Sequence, residues 1–577
     1  MEQADLPFPI SNFTEPQGLG STLTLDDLPD PLQSVAREHP FLFDYIRALP
    51  LEEIGLPAYV PKLSRAMSKL KHRNLIYPTN VANLFIHIYP NPRDARDIYI
   101  PIEPLLTVQL NGLVKQVEDR LLDLAETIGA APEAERKEVL LQSLDQICVI
   151  EGAESVAPAG KEKALRGHGK SGPKLQTTVR ELEALKYRTV RDKLGLGVLQ
   201  PLLEDPYIED ISCSGLGNMF IEHKIFKSLK SSIYFPSHDD LDDFVVQMGE
   251  RIKRPVTLRN PIVDAALPDG SRINIVYGRD ITKRGSNFTI RKFSDEVISV
   301  LNLIEFGSMN YLIAAYLWLA IENDLNVFVV GATASGKTTL LNALTTFIKP
   351  NAKIVTIEDT PELQVPHANW LREVVRQQTK DGKGGGVDMF DLLKAALRQR
   401  PDRIMIGEIR GVEGNIAFQA MQTGHGVMAT FHASSVQKVI QRLTGEPINV
   451  PKVNIDNLDL VVIQSAVRGP DGSTVRRIVS VNEIVDYDSA SNTFSFITAF
   501  RWKSEDDTFE FPGDMNSFVL EQKVAWKRGV PENQRRSIYS ELRKRAVILE
   551  KIGKKEGAKN FDKLFEIISE AYKQGLL

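Results

Sequence analysis

A chain of 577 residues is too long for one ordinary domain and has room for three or four. Its apolar share of 42% and charged share of 25% are those of soluble globular proteins, and a net charge of −5 argues against a dedicated nucleic-acid binder, leaving only local basic patches open. Cys148 and Cys213 are the only cysteines, which excludes a disulfide framework and a four-cysteine zinc site and fits a reducing cytoplasm.

The start of the chain, Met1-Glu-Gln-Ala-Asp, has neither the basic region nor the apolar core of a signal peptide. Residues 1 to about 30 are rich in Pro, Asp and Thr and read as poorly ordered; from about 31 to 75, short amphipathic patterns predict a small helical unit. Asn83 to Tyr89 and Ile98 to Ile102 read as strands, and Leu105 to about Ile128 carries a helical period through Leu110, Val114, Val117, Leu121 and Leu124. Glu151 to Lys174, full of Gly, Ala, Lys and Ser, reads as a flexible insertion or linker (residues 151–175). A mixed α/β pattern follows to about 298, with strands near Met219–Ile221, Ile273–Tyr277 and Asn287–Arg291. Tyr311 to Ile321 is strongly apolar but too short to span a bilayer, and Glu322 and Asp324 close it. Further on, Ile478 to Val485 and Thr493 to Phe500 read as a hairpin, before two terminal helices; in the last, Phe561, Leu564, Phe565, Ile568, Ala571 and Tyr572 share a face. The boundaries drawn are 1–75, an extension with a small helical unit; 76–298, an α/β domain; and 299–577, a nucleotide-binding domain with C-terminal helices.

Gly331-Ala332-Thr333-Ala334-Ser335-Gly336-Lys337-Thr338 fits the phosphate-binding loop at every fixed position. Glycines let backbone N–H groups wrap around a β-phosphate, Lys337 adds a charge for the β/γ-phosphates, and the Thr338 hydroxyl suits Mg²⁺. Val327 to Val330 reads as a buried strand and Leu340 to Leu344 as a helix, the strand–turn–helix setting that this loop requires. Three further apolar runs end in polar residues: Lys353–Ile357 leads into Glu358-Asp359, Arg403–Ile406 into Gly407-Glu408, and Val427–Phe431 into His432. In an open parallel sheet ligands bind beyond the carboxyl ends of the strands, so these tips together make a site.

Glu358 is the carboxylate favoured to activate a water; alone, Glu358-Asp359 could equally open a turn before Pro361. Glu408 stands where a Walker B acid holds Mg²⁺ or orients the nucleophile, with a salt bridge to Arg410 as the plainer reading, and Gly407 takes the place of the usual aspartate. His432 is read as a γ-phosphate contact and His425 as a weaker nucleotide contact; their spacing is not a zinc pattern. Arg254, Arg259, Arg272 and Arg291 are candidate cations in the preceding domain.

The set of Gly331–Thr338, Thr356–Leu363, Gly407–Gly411 and Thr423–His432 resembles the type II/type IV secretion-system ATPase superfamily, whose Walker A, "Asp box", Walker B and "His box" come in this order. The resemblance spans about Leu194 to Val485, and Gln441–Pro451 with the terminal helices looks like the archaeal branch, nearest the archaellum motor ATPases and then the archaeal type IV pilus assembly ATPases. It implies a RecA-like P-loop NTPase domain preceded by a mixed α/β N-terminal domain, with a small helical N-terminal extension. ATP and Mg²⁺ are the implied cofactors, with Thr338 and Glu408 on the metal. Gly331, Thr333, Ala334, Ser335, Gly336, Lys337, Thr338 and Thr339 are implied to hold the nucleotide, Glu358 to be the catalytic base, and Arg272 and Arg291 to reach the nucleotide from the N-terminal domain.

The resemblance further implies a homo-hexameric ring docked on a polytopic membrane platform protein, with accessory cytoplasmic motor proteins, no specific nucleic acid, and a cytoplasmic location at the inner face of the membrane. Such a ring converts ATP hydrolysis into filament assembly, rotation or secretion. A hinge is expected within Phe293–Glu305, and a mobile loop, or a simple connection, at Gly382–Gly386. The tetracysteine zinc module of many bacterial relatives is absent here. A RecA-like nucleic-acid translocase is the competing reading; it calls for a basic groove or stacking aromatics that the chain does not show.

Overall fold

The computed structural model describes residues 5–110, 112–151, 174–293, 297–376, 385–469, 472, 474–555 and 557–576. The expected insertion at 151–175 falls almost wholly outside the described residues, as do 294–296 of the expected hinge and 382–384 of the glycine-rich loop. The chain forms two compact units, Met1–Phe293 and Ser294–Leu577.

In the N-terminal unit ten strands make one sheet. Phe85–Tyr89 and Ile98–Ile102 pair antiparallel near one edge, and Asn287–Arg291, Arg272–Val276 and Ile262–Ala266 close the other. The start of the chain is folded from Phe8 onward rather than loose. Phe8 is buried edge-on to Tyr45, and it clusters with Leu28, Leu32 and Leu42 over Ile76, Phe85 and Ile100 of the sheet. A few large apolar side chains thus outweigh the polar composition of that segment. The stretch from Leu105 also departs from its helical period. Its helix begins only at Leu113, after Gly112 takes a left-handed φ of 81°, and it breaks at Leu124.

The C-terminal unit holds a nine-stranded sheet. Its strands are β1 (Val327–Val330), β2 (Ile354–Glu358), β3 (Trp370–Val374), β4 (Arg403–Ile409), β5 (Gly426–Phe431), β6 (Leu460–Arg468), β7 (Thr474–Asp488), β8 (Thr493–Lys503) and β9 (Thr508–Glu510). The order across the sheet is β3-β2-β4-β5-β1-β6-β7-β8-β9. From β3 to β6 neighbours run parallel, and from β6 to β9 they run antiparallel. Two strands, β5 and β4, therefore stand between the phosphate-loop strand β1 and β2, the arrangement of a RecA-like P-loop NTPase domain.

Both faces of the parallel part are covered, which is why its strands read as unbroken apolar runs. Val327, Val329, Ile354 and Met405 join one core with helix α1 (Tyr311–Glu322), and Phe328, Val330, Val355 and Ile404 join a second core on the opposite face. Helix α1 is buried from Ile313 to Glu322. No described helix is long and apolar enough to cross a membrane. Two C-terminal helices, α2 (Ile538–Gly553) and α3 (Phe561–Lys573), pack on the α1 side through Leu542, Leu549, Leu564 and Ile568.

Trp318 of α1 sits at the centre of this packing. It is fully buried, its ring stacks on Phe347 at 5.3 Å between centroids, and the Arg545 guanidinium lies 4.5 Å from the ring centroid. Trp318→Ala should cost the C-terminal unit about 3–5 kcal/mol, read as an earlier transition in equilibrium urea unfolding.

Candidate functional site

The sheet register fixes where the chemistry collects. Val330 at the end of β1 pairs with Phe431 at the end of β5, and Ile409 pairs with Phe431 in turn. The residues that follow these strands therefore emerge along one edge: the phosphate loop after β1, His432 after β5, Glu408 near the end of β4, and Glu358 at the end of β2.

The loop itself is shaped by its glycines. Gly336 has φ 91° and Ala334 φ 61°, so the chain curls through left-handed positions before helix Lys337–Leu344 begins. Gly331 is required for space: a Cβ there would lie 2.2 Å from the Gln464 carbonyl oxygen. Lys337 is buried, and its Nζ donates to the Ala332 carbonyl at 3.0 Å, with His432 Nε2 at 3.4 Å. Burial lowers the Lys337 pKa from its ordinary value, partly opposed by the Glu408 charge.

A row of polar contacts runs on from there. His432 Nε2 is 2.9 Å from Glu408 Oε1, and Arg410 Nη2 donates to Glu408 Oε2 at 2.6 Å. Burial works against ionisation of Glu408 but is outweighed by the hydrogen bond and charge of Arg410, so its pKa falls below the usual value. Burial lowers the His432 pKa, against the pull of Glu408. The His432 carbonyl accepts from Arg442, whose guanidinium lies 5.0 Å from the Phe431 ring centroid. The salt bridge and the site are thus one object: Arg410 pairs with Glu408 and leaves it aligned with His432.

Glu358 is only 1% exposed. Its Oε1 accepts from the backbone N–H groups of Glu362 (2.8 Å) and Leu363 (2.7 Å), so it does shape the turn that follows. Its Oε2 is buried without a hydrogen bond, with Arg372 Nε at 3.8 Å. Burial pushes the Glu358 pKa up to about 7, held back by the two N–H groups and Arg372. The Glu358 side chain lies against Gly407, where an added Cβ would come within 3.1 Å of its Cγ. The missing Walker B aspartate is thereby explained, since Glu358 fills that space.

A profile of the family described as "Type II/IV secretion system protein" matches residues 192–494. An uncharacterised protein of Methanocaldococcus jannaschii is 41% identical over 546 residues, 94% of this chain and 97% of its own length. The chain belongs to the type II/IV secretion system protein family. Protein VirB11 of Agrobacterium fabrum is 30% identical over 283 residues, covering 43% of this chain and 79% of its own. Among solved structures, the VirB11 ATPase of the Brucella suis type IV secretion system, in complex with sulphate, is 25% identical; the match covers 51% of this chain and 95% of that one, with a TM-score of 0.25.

One expected site residue of this unit does not join the edge. His425 precedes β5, at the amino end of the strand. The six residues of the strand separate it from His432, about 20 Å of extended chain, and it bonds Thr423 Oγ1 at 3.0 Å instead. Arg272 and Arg291 belong to the N-terminal unit. There Arg272 makes a two-pronged contact with Asp264 (3.0 and 2.5 Å), and Arg291 Nε is 3.2 Å from Asp210. Two further residues stand at the phosphate loop outside the four motifs, Gln464 and Arg476. Gln464 carried the same signal as the other tips, an apolar run (Leu460–Ile463) ending in a polar residue. Arg476 lies within a strand, two residues from its start, and sends no such signal.

The edge fits a nucleotide phosphate. Ser335 Oγ is buried in the loop without a hydrogen-bond partner, and the left-handed turns expose backbone N–H groups to an anion. Among the described residues no cluster of three or more His, Cys, Asp or Glu could hold a metal alone.

The Glu358 shift has a stability consequence. Its folded pKa of about 7 lies above its ordinary value of 4.5, so its favourable contribution is full below about pH 4.5 and is lost as pH rises through about 7. Glu358→Gln cannot titrate, so in nucleotide-free protein it should gain on the wild type between pH 5 and 8, by on the order of 3 kcal/mol at most. Thermal melting of both proteins across that range checks this; parallel curves would show Glu358 titrating normally.

Proposed function

We propose that the chain is an ATPase, working as a homo-hexameric motor that powers assembly or rotation of an archaellum- or type IV pilus-like filament, or secretion, through a membrane platform protein and accessory cytoplasmic motor proteins. The observation that carries the ATPase reading is the linked row Lys337–His432–Glu408–Arg410, at 3.4, 2.9 and 2.6 Å, set beside the phosphate loop and the buried Glu358.

In this reading the N–H groups of Gly331 to Thr338, with Thr333, Ala334, Ser335 and Thr339, hold the phosphates, and Lys337 reaches the β/γ-phosphates. His432, aligned by Glu408, contacts the γ-phosphate. Thr338 and, through water, Glu408 would hold Mg²⁺, which would supply positive charge to offset that of the phosphates. Glu358 takes a proton from the attacking water as the water oxygen bonds to the γ-phosphorus and ADP leaves. A carboxylate titrating near neutrality suits that task, because a general base works best with a pKa near the working pH. The nucleotide contacts implied for Arg272 and Arg291 belong to the same reading. The motor role rests on membership of a family described as a secretion-system protein; among the described residues no feature favours nucleic acid as the load.

Lys337→Ala should abolish ATP binding and turnover, measured by nucleotide titration and phosphate release. Glu358→Gln should keep ATP bound while hydrolysis falls about 10²–10⁴-fold; turnover near the wild-type rate would move the base role to Glu408. For the motor reading, hydrolysis by the wild type should rise with membrane lipid or a co-purified polytopic membrane protein. Stimulation by single-stranded nucleic acid instead would favour a translocase.

A further inference from the structure

The phosphate loop has a second wall, built from residues outside the four motifs. Strands β5 and β6 flank β1 on opposite sides. His432 and Glu408 come from the β5 side. On the β6 side the register shifts between Ile463 and Gln464, and this irregularity presses Gln464 onto the loop at both ends. Its carbonyl oxygen occupies the space beside Gly331, and its side-chain Nε2 lies 3.1 Å from where a Gly336 Cβ would be. Gln464 is 1% exposed, and its Oε1 is buried with no hydrogen-bond partner. A buried amide oxygen left unsatisfied costs free energy, so its presence against the loop calls for a reason other than packing.

Arg476, on the neighbouring strand β7, completes this wall. Its Nε donates to the Ala334 carbonyl at 3.1 Å, and its Cδ lies 3.1 Å from the Gly336 Cβ position. Among the described residues no carboxylate pairs with it. One edge of the guanidinium is thus anchored on the loop backbone, and among the described residues no hydrogen bond or ion pair engages Nη1 or Nη2. That is the fork geometry that suits phosphate oxygens.

We propose that Arg476 binds the α- and β-phosphates of the nucleotide, with Gln464 as the positioning residue that sets the loop against it. The sheet order decides which phosphates. Lys337, His432 and Glu408 gather on the β5 side, where the γ-phosphate belongs, so a cation from the β6–β7 side meets the diphosphate end. Arg476 therefore grips ADP as firmly as ATP and acts on nucleotide retention rather than on the bond being broken.

This inference rests on the nucleotide-site reading, and the test separates the two. Fluorescent ADP and ATP analogues are titrated into the full chain as wild type, Arg476→Ala, Arg476→Lys and Lys337→Ala. Arg476→Ala should weaken ADP and ATP alike by about tenfold, since one charge-assisted contact is lost. Arg476→Lys, which keeps the charge but not the fork, should recover part of that loss. Arg476 is exposed, so truncating it leaves the core intact. Unchanged affinity for both nucleotides in Arg476→Ala overturns the inference while the wild type still binds. Weakening of ATP alone overturns the diphosphate placement. A wild type that binds neither nucleotide overturns the site reading itself.

Discussion

The parallel sheet of the C-terminal unit is covered by apolar side chains on both faces, and this condition governs where polar chemistry can stand. Val330, Ile357, Ile406 and Phe431 are buried within their strands, so a charged side chain among them would be stranded in a medium that penalises it. In the inner strands charged side chains stand at or next to the strand ends. Because the neighbours are parallel, they run out on the same edge. Lys337, His432 and Glu408 are brought together by that condition before any specific contact is considered, and the contacts then align them.

Once gathered, the groups tune one another by a few local means. Glu408 is partly buried yet ionises easily because Arg410 lies on one oxygen and His432 on the other. Glu358 has only one oxygen satisfied, by two backbone N–H groups, and a cation at ion-pair distance from the other. The two carboxylates come from strands that pair side by side, yet burial and partners push their titrations in opposite directions. In the proposed mechanism this divergence separates an orienting acid from a base.

Much of this could be read from residue order. The loop, the three polar tips and the late hairpin lie where the patterns put them, because unbroken apolar runs and fixed glycines are direct imprints of two-sided burial and tight turns. Other features left no such imprint. The early helices around Phe8 and Leu32 depend on long-range packing against Ile76 and Phe85, which a polar local composition concealed. The helix expected from Leu105 starts only after Gly112, which takes a left-handed φ. His425 shows the limit of motif reading: it lies in the same box as His432, but a strand separates the two by its full length. Arg476 was invisible because its importance arises from a strand pairing in the folded sheet.

The glycine at position 407 has an electrostatic meaning beyond its size. An aspartate there would place a second acid against the side chain of Glu358, and two carboxyls at that range lose their protons as a coupled pair, one early and one very late. With no side chain at 407, Glu358 and Glu408 titrate as separate acids on separate strands. A proton arriving at one need not be negotiated with the other.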